Sequence, residues 1–180
     1  MTKPKSRTKR AVFSRRYYRN LKEIRTDFRY ITSRRELIRK AMREMISYDF
    51  RERLMMVVTQ VNGCRYCSSF HAKEALKSGI SNEELKVLLA GDIPEDAPLE
   101  EIPALVYAQH WAESDAQPDN ITVQRLVDEY GQDKADAIQI VLRMIRMGNL
   151  SGNLLDYWLY KLSFGRLGIT EKDEDFVILK

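Results

Sequence analysis

Arg51-Glu52-Arg53-Leu54-Met55-Met56-Val57-Val58-Thr59-Gln60-Val61-Asn62-Gly63-Cys64-Arg65-Tyr66-Cys67-Ser68-Ser69-Phe70-His71 decides how this chain is read. From Leu54 to Val61 the stretch is apolar almost all round, which predicts a buried helix over residues 50–61. Asn62-Gly63 breaks that helix, and a second one is predicted from about Cys64 to Lys77, closed by Gly79. A two-residue break leaves room only for a tight reversal, so the two helices should pack as neighbours. At about 100° per residue, Cys64, Cys67 and His71 lie at about 0°, −60° and −20°, on one narrow helix face. Glu52 lies about 15 Å back along the first helix and His71 about 11 Å along the second, at about 1.5 Å per residue. In an antiparallel hairpin Glu52 would therefore meet His71 before either sulfur.

Helical signals continue on both sides. Tyr17, Leu21, Ile24 and Phe28 recur at helical spacing and predict a helix from about Ser14 to Tyr30. Thr32 or Ser33 is placed to cap the next helix, with Glu36 completing a capping box around Ser33. That helix carries Leu37, Ala41, Met45 and Ile46 on one face and should end near Tyr48-Asp49. Ser81 caps a short helix over residues 82–89, and residues 91–98 form a loop. Pro103 starts a helix bearing Tyr107, His110 and Trp111, and Asn120 caps one over residues 121–130. A long last helix spans residues 133–163, with Ile138, Val141, Leu142, Ile145 and Leu150 on its apolar side. The expected fold is all-α, with about seven or eight helices and no strand-period segment of useful length.

The 180 residues are 44% hydrophobic and 31% charged, an ordinary balance for one globular domain. No apolar run approaches the roughly 20 residues of a membrane span. Ser14-Arg15-Arg16 superficially resembles a twin-arginine signal, but charged residues follow it and no apolar segment or small-residue cleavage site does, so the chain reads as cytoplasmic. The net charge of +4 is uneven: residues 1–51 hold 17 Lys/Arg against 5 Asp/Glu, leaving a surplus of acids in residues 52–180. Such an arm reads as a solvated helix face with a frayed tail, or as a strap on the acidic body of a second copy. The alternative is a redox-sensing or metal-binding module whose arm binds nucleic acid, an anionic membrane or a partner protein. Residues 1–12 are expected to be disordered, and the organisation reads as an arm over 1–32, a helical domain over 33–165 and a tail over 166–180.

The chemistry concentrates at Cys64, Cys67, His71 and Glu52. Cys64 and Cys67 are the only cysteines, so a secreted-type disulfide framework is excluded and the pair is redox-active or metal-bound. At the start of a helix, unpaired N–H groups and the positive dipole end favour a thiolate at Cys64. Cys67 is one turn on and within disulfide reach. His71 exchanges protons near neutral pH, and a carboxylate that orients it completes a nucleophile–base–orienter arrangement. The alternatives are a salt bridge from Glu52 to a nearby arginine and a metal site of Cys64, Cys67 and His71 with Glu52 or water. His110 and the paired methionines have bland readings as packing, interface or surface residues. Asn149 and Asn153, four apart on the last helix, fit a pocket lining or helix-surface hydrogen bonding equally well.

Glu52, eleven residues, Cys64-x-x-Cys67, three residues and His71 resemble the signature of the alkylhydroperoxidase D branch of the carboxymuconolactone decarboxylase family. His71-Ala72-Lys73-Glu74-Ala75-Leu76, Ala104-Leu105-Val106-Tyr107-Ala108 and the helix with Asn149 and Asn153 are similar too, over about residues 35–165. The resemblance implies an alkylhydroperoxidase D-like helical bundle, homo-oligomeric, acting as a thiol-dependent peroxidase or disulfide oxidoreductase without a cofactor. Its partners would be a small hydroperoxide and a thiol or dithiol reductant protein. By position Cys67 would attack the peroxide and Cys64 resolve, whereas the helix dipole makes Cys64 the more acidic thiol. The sequence departs from the branch at Tyr66, where a histidine precedes the second cysteine.

Overall fold

The computed structural model describes residues 10–170, 173 and 177–178. Among them are eight α-helices: α1 Leu21–Thr32, α2 Arg35–Lys40, α3 Tyr48–Asn62, α4 Arg65–Ser78, α5 Asn82–Ala90, α6 Ile102–Glu113, α7 Asn120–Tyr130 and α8 Gln132–Leu162. The all-α expectation holds. A two-residue antiparallel pair joins Arg10–Ala11 to Val177–Ile178, too short to leave a period-2 signal in the sequence. No described helix is long and apolar enough to cross a membrane.

The bundle is organised around α3, which packs on α4, α6 and α8. Ser47 starts α3 by accepting the Phe50 amide at 3.4 Å, and Gly63, at φ 70°, ends it in the left-handed region that a side chain disfavours. Leu54, Met56 and Val58 are fully buried against Leu105 of α6 and Ile138 and Leu142 of α8. Each such side chain stabilises the fold by about 1.5–3 kcal/mol through burial. Asp27 fastens α1 to α8, accepting from Arg143 at 3.2 Å, Arg146 at 2.6 Å and the Tyr18 hydroxyl at 2.6 Å.

Several predicted boundaries are corrected. The first helix begins at Leu21, not Ser14, because Asn20 accepts the Glu23 amide at 3.0 Å and Glu23 returns a carboxylate to the Arg19 amide at 3.1 Å. That reciprocal cap fixes a start, and Tyr17 instead stacks on Tyr157 from a non-helical segment. Ser33 does not cap α2. It stays in helical geometry as the C-cap of α1, and a side-chain cap needs extended dihedrals. α2 runs into a π-turn over Ala41–Met45 and stops at Ile46 rather than near Tyr48. Asp119, not Asn120, caps α7, accepting the Thr122 amide at 2.9 Å. The disorder expected of residues 1–12 falls mostly on residues 1–9, outside the described ones, as does most of the expected tail beyond 170.

Candidate active site

The α3–α4 hairpin turns on Gly63 and brings Glu52 against His71, with Nδ1 2.7 Å from Oε2. A carboxylate only accepts, so Nδ1 carries the proton of this pair, and in the neutral ring Nε2 is an acceptor. Glu52 is 3% exposed, and Arg51 approaches its other oxygen at 3.7 Å. The histidine contact and the alternative arginine contact thus coexist.

Cys64 is the N-cap of α4 rather than a first-turn residue. Its Sγ accepts the Cys67 amide at 3.3 Å, the place a serine or aspartate oxygen usually takes. The two sulfurs are 2.7 Å apart and both are free thiols. The two thiols are hydrogen-bonded to each other, and the Cys64 sulfur also accepts the Cys67 backbone N–H. The hydrogen bond with Cys67, together with the Cys67 and Tyr66 amides and Asn149, outweighs burial and lowers the Cys64 thiol to about 7. The hydrogen bond with Cys64 pushes the Cys67 thiol up, and burial adds to the rise.

The sulfurs open on different clefts. Cys67 and His71 line one of about 330 Å³ walled by Met55, Phe70, Met144 and Ile145. Cys64, itself 1% exposed, lies at the base of a more polar cleft of about 390 Å³ with Thr59, Gln60 and Arg65. A larger cavity of about 720 Å³ between α6 and α7, lined by Ile102, Val106, His110 and Arg125, touches neither cysteine. Its His110 is 3.6 Å from Asp119.

α8 closes the site from behind. A Cβ on Gly148 would sit 3.9 Å from the Cys67 sulfur, and one on Gly152 would sit 2.8 Å from the Cys64 sulfur. Asn149, fully buried, donates to Thr59 Oγ1 at 3.1 Å and accepts from Asn62 at 3.1 Å. Asn153 donates to the Asn62 carbonyl at 2.8 Å. Asp156 accepts from the Tyr66 hydroxyl at 2.8 Å, from Arg65 at 2.6 Å and from Arg15 at 2.9 Å. Tyr66 therefore stands beside Cys67 with its ring in the cleft and its hydroxyl anchored on α8.

Sequence reasoning brought Glu52, His71, Cys64 and Cys67 together, and the structure places them so. It left Asn149 and Asn153 open between a pocket lining and helix-surface hydrogen bonding, and missed Asp156 and Arg15. A signal existed for the first three: at about 100° per residue they continue the face of Ile138, Leu142 and Ile145, so polar groups enter a buried stripe. Arg15 had no such signal. Among the described residues, no group of three or more His, Cys, Asp or Glu could hold a metal ion. Glu52 turns to His71 instead of the sulfurs, which counts against the four-ligand metal alternative.

Fold and site together define an all-helical protein whose dithiol is backed by a carboxylate–imidazole pair. The family model described as the carboxymuconolactone decarboxylase family matches residues 28–114, and that stretch is similar to the family. The matched stretch contains Glu52, Cys64, Cys67 and His71 but neither Arg15 nor α8. No curated protein and no solved structure matches the chain.

Proposed function

We propose that this protein is a thiol-dependent peroxidase and disulfide oxidoreductase of the alkylhydroperoxidase D type, reducing small organic hydroperoxides. The observation that carries the reading is the Glu52–His71 pair at 2.7 Å on the cleft that also admits Cys67, with Cys64 2.7 Å behind it. Cys67 attacks because it is the sulfur on that cleft. His71 Nε2 takes its thiol proton, and Glu52 holds the ring and offsets the charge of the imidazolium. Sulfur bonds to one peroxide oxygen as the O–O bond breaks, and the leaving alkoxide recovers the proton from His71. Cys67 is then a sulfenic acid and the product an alcohol.

Cys64 next attacks the Cys67 sulfur, and hydroxide leaves as water with the proton that Cys64 gave up. A thiol lowered to about 7 suits this resolving role. In this scheme an acidic Cys64 is compatible with attack by Cys67. Two equivalents of a partner thiol reduce the disulfide by exchange, expelling the acidic Cys64 as the better leaving group. The apolar walls favour an organic hydroperoxide over hydrogen peroxide. Exposed Phe70, Leu155, Trp158 and Leu162 support a homo-oligomer.

Reduced protein mixed with tert-butyl hydroperoxide and dithiothreitol tests this. Cys67→Ser and Cys64→Ser should each abolish turnover, and Cys64→Ser should accumulate a dimedone-reactive sulfenic acid on Cys67. Full turnover in both variants refutes the reading.

A further inference from the structure

Arg15 lies in the non-helical segment before α1, outside the residues that match the family, yet its side chain is fully buried. Its guanidinium is shared among five groups. Nε bonds Asp173 at 2.8 Å, and Nη2 bonds the Gly168 carbonyl. Nη1 reaches Asp156 at 2.9 Å, Asn153 at 3.2 Å and the Gly63 carbonyl at 3.3 Å. Gly63 immediately precedes Cys64. The carbonyl before it, of Asn62, is held by Asn153, which also takes the Arg16 carbonyl at 2.9 Å. Both carbonyls of the turn that aims Cys64 are therefore fixed from outside the hairpin, one by Arg15 directly and one by a residue Arg15 bonds. Asp156 extends the same network to Arg65 and Tyr66, between the cysteines.

We infer that Arg15 is a positioning residue for Cys64, which makes the amino-terminal segment a working part of the thiol site rather than a detachable arm. Cys64 acts as an N-cap only while the turn holds its sulfur under the Cys67 amide. The groups facing that sulfur are the Cys67 thiol, the Cys67 and Tyr66 amides of α4, and Asn149 of α8. Arg65 shares the cleft on which Cys64 lies, whereas Arg15 bonds the Gly63 carbonyl and not the sulfur, so Arg15 acts through the backbone turn. The inference deepens the proposed function and rests on it for the meaning of Cys64, but not for its test.

The test is the pH profile of iodoacetamide labelling at Cys64, read by peptide mass spectrometry on the reduced full chain. In Arg15→Lys a single ammonium replaces the fork and cannot reach Gly63 while serving both acids. The labelling midpoint should rise by about one pH unit, toward an ordinary cysteine, with a roughly five-fold drop in rate near neutral pH. Asp173→Asn weakens the far side of the fork and leaves Nη1 on Gly63, so it should lose stability without moving the midpoint. If Arg15→Lys does not fold, Arg15→Met with Asp173→Asn removes the cation and one acid together, Asp156 keeps Arg65, and the same shift is expected. A midpoint unmoved when Arg15 changes, or moved equally by Asp173→Asn, overturns the inference. Because labelling needs no peroxide, a wild type without peroxidase activity would defeat the proposed function and leave this result standing.

Discussion

Gly148 and Gly152 offer a matched pair of substitutions on one helix, each facing a different sulfur. Inside a helix, alanine is favoured over glycine by about 1 kcal/mol. At Gly148 the new methyl would stand 3.9 Å from the Cys67 sulfur, an ordinary contact, so Gly148→Ala should be neutral to stabilising by up to about 1 kcal/mol. At Gly152 it would stand 2.8 Å from the Cys64 sulfur and 3.4 Å from the Tyr66 ring. A relaxed contact requires the sulfur to retreat by close to 1 Å, and Cys64 lies on a turn held at both carbonyls. Overpacking of this kind costs about 1–3 kcal/mol, so Gly152→Ala should be destabilising by about 0–2 kcal/mol after the helical gain. The displaced sulfur also loses the Cys67 amide, so the Cys64 labelling midpoint should climb from about 7 toward the usual thiol value. Urea unfolding and pH-resolved labelling measure the two effects. Equal stability changes in the two variants, or an unmoved Cys64 midpoint in Gly152→Ala, would show that α8 does not press on the thiol turn as described.

Glu52→Gln keeps the shape of the pair but removes the charge that supports an imidazolium; hydroperoxide turnover should fall about 10–100-fold with Cys64 labelling unchanged. Steady-state kinetics on the reduced variant decide it, and wild-type rates would remove Glu52 from the relay. A second prediction concerns Glu101, buried beside Arg53, which also holds Glu84 and, at 2.8 Å, Asp49. Burial, with the charge of Asp49, pushes the Glu101 carboxyl up from 4.5 to about 7 despite Arg53. A raised folded-state value favours the neutral form, so this contribution to stability is full below about pH 4.5 and is lost as pH rises through about 7. The span corresponds to at most about 3 kcal/mol, reduced by whatever water reaches the site. Urea midpoints at pH 5 and pH 8 should differ less in Glu101→Gln than in the wild type, and identical pH dependence would contradict the assignment.

The helical hairpin was legible because its information is local. A buried run, an Asn-Gly break and a second helix leave one arrangement open, and helical periodicity then aligns Cys64, Cys67 and His71 opposite Glu52. Local pattern misled where a cap outweighed spacing. Tyr17, Leu21, Ile24 and Phe28 look like one helical face, yet the reciprocal bonds of Asn20 and Glu23 start the helix at Leu21. The buried amides and carboxylate of α8 were half legible, as polar residues on an apolar stripe whose partners the stripe does not name.

By itself the sequence determined the helical class and the four groups gathered at the hairpin, since each follows from contacts within about 20 residues of chain and from fixed helical geometry. Only the tertiary structure decided which sulfur faces which cleft, why α8 carries glycine behind both of them, and that Arg15 grips the thiol turn. Those facts depend on Asn153 and Asp173, which lie 138 and 158 residues from Arg15 along the chain. No periodicity spans such distances; the packing of α8 across the hairpin does.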